Sequence, residues 1–163
     1  AEIQKRTGAE AVALEPSEQA ALSGHGSFPF VRFVRGTMSA APLRGSFDLV
    51  IVNFVFHWID RQSLLSAAAE VDRLVSDTGY LLIGDFHPAN HLRVHYHHLQ
   101  KEEVFTYKQN YAATFLASGL YHPVCLLTAH HATRALEPHV IENERIGAWL
   151  LRKELQQHYL VQP

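Results

Sequence analysis

The chain has 163 residues, of which 47% are apolar and 18% are charged, a composition typical of a folded globular domain. Fourteen Lys and Arg residues against sixteen Asp and Glu residues leave a net charge of −2, too small for a field that steers nucleic acid or an anionic membrane. The sequence shows neither a basic-then-apolar leader nor an apolar run of about 18 residues. We therefore expect a cytoplasmic protein with no nucleic-acid partner and no membrane partner.

The N-terminal part alternates short helical and apolar segments. Residues 3–7 are typical of the end of a helix, and the apolar run 11–14 predicts a strand. Ser17 is a candidate N-cap of a short helix, and the glycines and proline of residues 23–29 predict a loop after it. Residues 31–34 predict a second strand.

The strongest signal is the run from Phe47 to Phe56, which is apolar apart from two polar residues. Its β-branched and aromatic side chains predict a strand covered on both faces, as in a parallel sheet. Apolar residues at spacings of three and four then predict a helix through Leu74, which Asp60 would cap. A turn at residues 77–79 and a buried strand at residues 80–83 follow.

The C-terminal half begins with a polar segment, residues 86–100, that predicts a long loop. Residues 101–118 predict a helix, and the apolar segments 121–128 and 146–151 predict two strands. No helical pattern separates these two strands, so we expect them to pair antiparallel at one edge of the sheet. The alternation of strand and helix predicts an α/β fold with a mostly parallel sheet and a ligand crevice at the carboxyl ends of its strands.

Cys125 is the single cysteine, which excludes an intramolecular disulfide and a cysteine-based zinc site within this sequence. It lies in the strand predicted at residues 121–128. We expect it to be a small buried apolar residue rather than a nucleophile.

The loop at residues 86–100 is rich in histidine: His87, His91, His95, His97 and His98. Spacings of four would place three of these imidazoles on one face of a helix, where they could bind a transition metal. Pro88 and the polar composition oppose a regular helix, so we expect a solvated loop without a metal site. A metal-binding protein that uses this loop is the alternative.

The order of the segments resembles the class I S-adenosylmethionine-dependent methyltransferases that act on small molecules. Segments 11–17, 33–43, 47–58 and 73–83 are similar, in sequence order, to the second, third, fourth and fifth strands of that family with their flanking turns. The resemblance implies a Rossmann-like, mostly parallel sheet with an antiparallel C-terminal edge, in a single domain over residues 1–163. It also implies methyl transfer from S-adenosylmethionine to a small-molecule acceptor.

The same resemblance implies four cofactor-binding residues at strand ends. Glu15 would hold the ribose, because a carboxylate accepts two charge-assisted hydrogen bonds from a diol. Thr37 would lie near the adenine amine and Met38 on the adenine face, while Asn53 would lie near the methionine end. The alternatives are a solvated turn acid at Glu15, a core residue at Met38 and a polar strand end at Asn53.

The catalytic candidates are His57 and His87, which follow the two strands at residues 47–56 and 80–83. A neutral imidazole near the methyl acceptor can take its proton as a general base. Trp58 and Tyr96 would line the acceptor pocket. A structural or lining role is the alternative for the two histidines, and a core position is the alternative for Trp58.

One part of the family's pattern is absent, the Gly-x-Gly-x-Gly motif that follows its first strand. The sequence begins where the helix after that motif would end, so the resemblance implies an N-terminally incomplete domain without its central strand. Buried unpaired strand edges cost about 1–3 kcal/mol per backbone group. A longer natural chain is the favoured explanation. The alternatives are a partner chain or second copy that supplies the strand, and a non-catalytic remnant or partner subunit with this fold.

Overall fold

The computed structural model describes residues 2–96, 103–136 and 142–156. The chain divides into two compact units, residues 1–44 and residues 45–163, which are described in turn. Within the three described ranges, no helix combines the length and the apolar character that crossing a bilayer requires.

The first unit contains two helices and two parallel strands. These are α1 (Glu2–Thr7), β1 (Ala11–Glu15), α2 (Glu18–Ser27) and β2 (Val31–Arg35). Strands β1 and β2 are in register from Ala11 opposite Val31 to Glu15 opposite Arg35. Because the strands are parallel, Glu15 and Arg35 lie at the same edge of this two-stranded sheet.

Helix α2 confirms one local prediction and corrects another. The Ser17 side chain accepts a hydrogen bond from the Ala20 backbone N–H at 3.2 Å, as expected of an N-cap. The loop predicted at residues 23–29 is wrong, since the helix continues to Ser27. A Cβ at Gly24 would collide with the Phe33 ring, so this glycine allows the helix to approach β2 closely.

The second unit is built on a four-stranded sheet in the order β3-β4-β8-β7. Its described elements are β3 (Phe47–Asn53), α3 (Leu64–Leu74), β4 (Val75–Phe86), β5 (Leu92–His95), β6 (Phe105–Lys108), α4 (Ala112–Ala117), β7 (Tyr121–His130) and β8 (Arg145–Lys153), with 3-10 turns at Phe56–Trp58 and Glu142–Glu144. Strands β3 and β4 are parallel, whereas β8 is antiparallel to both of its neighbours. The α/β fold with an antiparallel C-terminal edge is thus confirmed.

A hairpin replaces part of the long loop and helix predicted between residues 86 and 118. Strands β5 and β6 pair antiparallel, with Leu92 opposite Lys108 and His95 opposite Phe105. Thr106 and Lys108 are buried and alternate with less buried neighbours, so the segment has the period of a strand. Helix α4 begins only at Ala112, whose N–H donates to the Asn110 side chain at 3.1 Å. Residues 97–102 lie outside the described ranges.

Two predicted boundaries around α3 also change. Asp60 does not cap the helix but forms a turn, in which its carbonyl accepts from the Ser63 N–H at 2.9 Å, and the helix begins at Leu64. The turn predicted at residues 77–79 is an irregularity within β4. The register passes there from Phe47 opposite Val75 to Leu49 opposite Tyr80.

The two faces of the four-stranded sheet differ in burial. One face joins α3 and α4 in the core, through residues that include Val52, Val71, Leu81, Ile83, Phe115 and Leu151. On the other face, Leu49 and Ile51 are 38% and 46% exposed, so the expectation of a β3 strand covered on both faces is wrong. Cys125, in register with Leu150 on β8, is exposed, which contradicts its predicted burial.

Candidate functional site

A buried carboxylate–imidazole pair lies at the carboxyl ends of β3 and β4. Asp85 and His57 are 3% and 4% exposed, and Asp85 Oδ1 lies 2.8 Å from His57 Nδ1. The same carboxylate accepts backbone hydrogen bonds from His57 at 3.3 Å and Phe86 at 2.7 Å. Such a carboxylate favours the proton on Nδ1 and leaves Nε2 as the acceptor nitrogen of the neutral imidazole.

The chain leaves β3 through a residue in the left-handed region. Phe54 has φ 54°, unusual for a bulky side chain, and its N–H donates to the Gly84 carbonyl at 2.7 Å. This conformation costs about 1–3 kcal/mol, which the surrounding contacts must offset. The turn brings the 3-10 segment Phe56–Trp58, with His57, against the end of β4.

Aromatic rings enclose the pair. The His57 ring lies edge-on to Phe54 and Phe86, with centroids 6.0 Å and 5.1 Å away. His131 contacts the same two phenyl rings at 5.5 Å and 5.1 Å. Apolar rings around His57 exclude water, which strengthens its hydrogen bond to Asp85.

A cavity of about 430 Å³ opens beside these strand ends. Its lining residues are Asn53, Phe54, Gly84, Asp85, Leu127, Ala129, Arg134, Ile146, Gly147 and Ala148. A Cβ at Gly84 would collide with Asn53 Oδ1, so only glycine at this position leaves room for the Asn53 amide. The cavity is large enough for a small molecule or for part of a nucleoside.

Two further titratable groups lie near the pair. Lys108 is 7% exposed. Its Nζ donates to the backbone carbonyl of Asn143 at 2.9 Å and to the Asn143 side-chain Oδ1 at 2.7 Å. The same Nζ lies 3.6 Å from the centroid of the Phe86 ring. Burial lowers the pKa of Lys108, although Glu144 and Asp85 oppose the shift. Burial also lowers the pKa of His131, and Arg134 adds to that effect.

His87, the second catalytic candidate, packs in different surroundings. Its ring lies 5.8 Å from that of Trp149, and its Cβ and ring would meet a Cβ at Gly147. Its Nδ1 is buried and has no hydrogen-bond partner within the described part of the chain. Burial and the charge of Arg145 lower the pKa of His87 and favour the neutral imidazole.

Trp58 and Tyr96, the predicted acceptor-pocket residues, contact each other and extend from the His57 ring. The Trp58 ring centroid lies 5.1 Å from that of His57 and 4.8 Å from that of Tyr96. Tyr96 follows β5, and its N–H donates to the Val104 carbonyl at 2.8 Å. The β5–β6 hairpin thus places an aromatic side chain against Trp58.

The remaining three predicted cofactor residues belong to the first unit. Glu15 ends β1, and its Oε1 accepts from the Ser17 N–H at 2.9 Å. Thr37 is exposed and Met38 is half-buried, in a short turn closed by the Ala40 N–H on the Thr37 carbonyl at 3.2 Å. A Cβ at Gly36 would collide with the Pro42 ring, so this glycine lets the chain fold back after β2.

The histidine-rich segment forms a strand rather than a solvated loop at His95, which lies in β5 with its ring 5.3 Å from that of Phe105. Among the residues that the structure describes, no group of three His, Cys, Asp or Glu side chains could hold a metal ion. His97 and His98 lie outside those residues.

Several residues of the site are absent from the candidates taken from the sequence, among them Phe54, Asp85 and Arg134. The sequence did indicate a functional position at Asp85, since it is a polar residue at the end of a predicted buried strand. It indicated none at Phe54 or Arg134, because an apolar residue after a strand and an arginine in a polar segment are common on any surface.

A sheet whose parallel strands end in polar groups beside a cavity, with an antiparallel C-terminal edge, is the arrangement of a Rossmann-like α/β protein. The chain belongs to the methyltransferase-domain family, whose family model matches residues 1–83. This match includes β1 to β4 up to Ile83, and therefore Glu15, Asn53 and His57.

Similar proteins agree with this assignment. An uncharacterised methyltransferase of Alkaliphilus oremlandii (strain OhILAs) is 22% identical over 81 residues, which are 50% of this chain and 38% of that protein. The chain therefore spans well under half the length of that curated relative.

Two solved structures share the fold. The 1,6-didemethyltoxoflavin-N1-methyltransferase of Burkholderia thailandensis, solved with 1,6-didemethyltoxoflavin and S-adenosylhomocysteine, has a TM-score of 0.67 at 17% identity, with 94% of this chain and 65% of that chain covered. The MccD protein has a TM-score of 0.66 at 13% identity, with 94% and 83% covered.

Proposed function

We propose that this protein transfers a methyl group from S-adenosylmethionine to a small-molecule acceptor. The observation that carries the proposal is a cavity at the carboxyl ends of two parallel strands, lined by Asp85, whose carboxylate is paired with the buried His57. Ligands of open α/β sheets bind at such ends. Membership of the methyltransferase-domain family and the S-adenosylhomocysteine bound by the Burkholderia thailandensis enzyme support the choice of cofactor.

The donor groups at the strand ends suit this cofactor. Asn53 offers a side-chain amide to the cavity, and the glycine at position 84 leaves room for that amide. Glu15 has one carboxylate oxygen on the Ser17 N–H and a second oxygen available for a ribose hydroxyl. When bound, S-adenosylmethionine would supply an electrophilic methyl group on a sulfonium sulfur. In the proposal Glu15 binds the ribose, Thr37 and Met38 the adenine, and Asn53 the methionine end.

The proposed role of His57 is that of general base. As the acceptor's oxygen, nitrogen or carbon forms its bond to the methyl carbon, the carbon–sulfur bond breaks and the sulfur keeps the electron pair. An acceptor that loses a proton in this step gives it to His57 Nε2, while Asp85 stabilises the imidazolium from the Nδ1 side. Trp58 and Tyr96 would orient the acceptor, and orientation is the larger contribution to an in-line displacement. His87, which packs on Trp149, is the second candidate base.

Calorimetric titration with S-adenosylhomocysteine tests the cofactor assignment. We expect wild-type protein to bind it and Glu15→Ala to weaken binding at least tenfold, because the substitution removes charge-assisted hydrogen bonds to the ribose. Glu10→Ala is the matched control, since Glu10 is an exposed carboxylate just before β1.

Two outcomes would contradict the proposal. No heat of binding from wild-type protein that is folded by circular dichroism would argue for a non-catalytic protein of this fold. If Glu15→Ala and Glu10→Ala weaken S-adenosylhomocysteine binding equally, Glu15 does not bind the ribose.

A further inference from the structure

We infer that the methyl acceptor carries an oxyacid anion, a carboxylate or a phosphate group, which Arg134 binds at the edge of the cavity. The inference rests on the proposed function and specifies the chemical class of its acceptor. It begins from Arg134, a cation beside the cavity that forms no ion pair with a carboxylate of the described ranges.

The turn after β7 fixes the position of Arg134. The Arg134 N–H donates to the His130 carbonyl at 2.9 Å, and the His130 N–H donates to the Ala135 carbonyl at 3.0 Å. His130 Nδ1 accepts from the Ala132 and Thr133 N–H groups at 3.1 Å and 3.4 Å. Four hydrogen bonds in six residues make this a defined turn rather than a loose loop.

Arg134 itself is held in a conformation that arginine rarely adopts. Its φ is 61°, and its guanidinium carbon lies 5.9 Å from the centroid of the Phe54 ring. Phe54 also has a positive φ, so two residues with strained backbones line the same cavity. Backbone strain of about 1–3 kcal/mol per residue concentrates at ligand-binding positions.

The described acids near the cavity bind groups other than Arg134. Among the described residues, no carboxylate forms an ion pair with its guanidinium. The acid that lines the same cavity, Asp85, already accepts from His57 Nδ1 and from two backbone N–H groups. Glu144 lies 3.7 Å from His131, and Lys108 is bound to Asn143. A guanidinium presents a planar fork that fits carboxylate and phosphate oxygens in pairs.

The lining between Arg134 and the strand ends is mostly apolar. Leu127, Ala129 and Ile146 offer no polar side chain, so they suit the body of the acceptor rather than its charged group. An anion on Arg134 would therefore fix one end of the acceptor and leave its other end toward Asn53 and Asp85.

Three small probes test the inference on protein saturated with S-adenosylhomocysteine: benzoate, phenylphosphonate and the neutral benzamide. Dissociation constants come from ¹H–¹⁵N NMR shifts. We expect the better of the two anions to bind about fivefold more tightly than benzamide, a modest factor because Arg134 is exposed. The preferred anion then indicates a carboxylate or a phosphate acceptor.

Substitutions assign the preference to Arg134. In Arg134→Gln the anion preference should disappear, and in Arg134→Lys, which keeps the charge without the fork, about half of it should remain. Arg73→Gln is the matched control, since Arg73 pairs with Glu70 on the surface of α3 and does not line the cavity. Thermal unfolding of each variant shows whether it is folded.

Three results would overturn the inference: equal binding of the anions and benzamide by wild-type protein, a preference that survives in folded Arg134→Gln, or a tenfold loss of S-adenosylhomocysteine affinity in that variant. The last would place Arg134 on the cofactor's own carboxylate. Failure of the proposed function is a separate result, because it appears as absent S-adenosylhomocysteine binding by the wild type.

Discussion

The sequence positions of His57 and Asp85 indicate that both residues lie at the ends of strands, but they do not indicate that the two side chains pair. His57 was a candidate because it follows the most apolar strand, whereas Asp85 was not, although it ends the next strand in the sheet. Their pairing was not predictable, since it depends on the φ of 54° at Phe54, which turns the chain so that the imidazole meets the carboxylate. Nothing in the local sequence Asn53-Phe54-Val55 indicates that turn.

The pair makes a prediction about the tautomer of His57. The Asp85 carboxylate acts only as a hydrogen-bond acceptor, and its other hydrogen bonds come from backbone N–H donors. Neutral His57 should therefore carry its proton on Nδ1. Long-range ¹H–¹⁵N NMR at pH 8 distinguishes the two ring nitrogens by their shifts. We expect the Nδ1–H form to dominate in wild-type protein.

In this experiment Asp85→Asn should remove the preference for the Nδ1–H tautomer of His57, because an amide can donate to the imidazole as well as accept from it. Asp77→Asn, at a surface position of β4, serves as the comparison. A dominant Nε2–H form in wild-type protein would contradict the assignment of Nε2 as the proton-accepting atom.

The secondary-structure predictions were correct where the burial of the residues follows the hydrophobic period of the sequence. The apolar segments became β1, β2, β3, β7 and β8, whereas the β5–β6 hairpin was misread as loop and helix. In that hairpin, a buried Thr106 and a buried Lys108 occupy positions where the sequence pattern expects apolar residues. Lys108 is accommodated by Asn143, which lies 35 positions further along the chain, so no local pattern could predict its burial.

Lys153 joins β8 to the end of α3 and should be important for stability. Its Nζ donates to the carbonyls of Asp72 and Val75 at 2.8 Å and 3.3 Å, and it lies 2.8 Å from Asp72 Oδ1. These carbonyls belong to the helix end, which lacks intrahelical donors. We expect Lys153→Met to lower the free energy of unfolding by about 2 kcal/mol, measured by urea denaturation.

The matched control for Lys153→Met is Arg73→Met on the same helix. Its ion pair with Glu70 lies at the surface, where solvent screens the charges, so its loss should cost much less stability than the loss of the Lys153 contacts. Similar effects of the two substitutions would show that the Lys153 hydrogen bonds contribute little net stability.

Helix α2 offers a second comparison, between two glycines of one helix. Gly26→Ala meets open space and should stabilise the protein by about 0.5 kcal/mol, because alanine is the better helix former. Gly24→Ala should destabilise it by about 1–2 kcal/mol, because the added methyl group overlaps the Phe33 ring. Urea denaturation measures both, and stabilisation by Gly24→Ala would show that α2 does not pack on Phe33 so closely.

At the scale of the whole molecule, two histidines should make stability depend on pH. The pKa values of His87 and His131 are lowered, in both cases first by burial, so the folded state binds fewer protons than the unfolded state below the ordinary value of 6.5. The free energy of unfolding should therefore be unaffected by these groups at high pH and fall as the pH drops from about 6.5 through their folded-state pKa values.

Urea denaturation at pH 8, 6 and 5 checks this expectation in wild-type protein and in the His87→Gln, His131→Gln double variant. The double variant should lose less stability between pH 8 and pH 5, because glutamine does not titrate. An equal or larger loss in the double variant would contradict it.

The sequence by itself determined the alternation of strands and helices, the antiparallel C-terminal edge and the family resemblance, because these depend on local hydrophobic period and on the order of segments. Tertiary structure alone decided which polar groups meet. Asp85 reaches His57 over 28 positions and Lys153 reaches Asp72 over 81, while Arg134 comes to the same cavity as Asn53. The physical reason is that a hydrogen bond or an ion pair depends on separations of a few ångströms, and only the packing of the sheet fixes these between residues far apart in the chain.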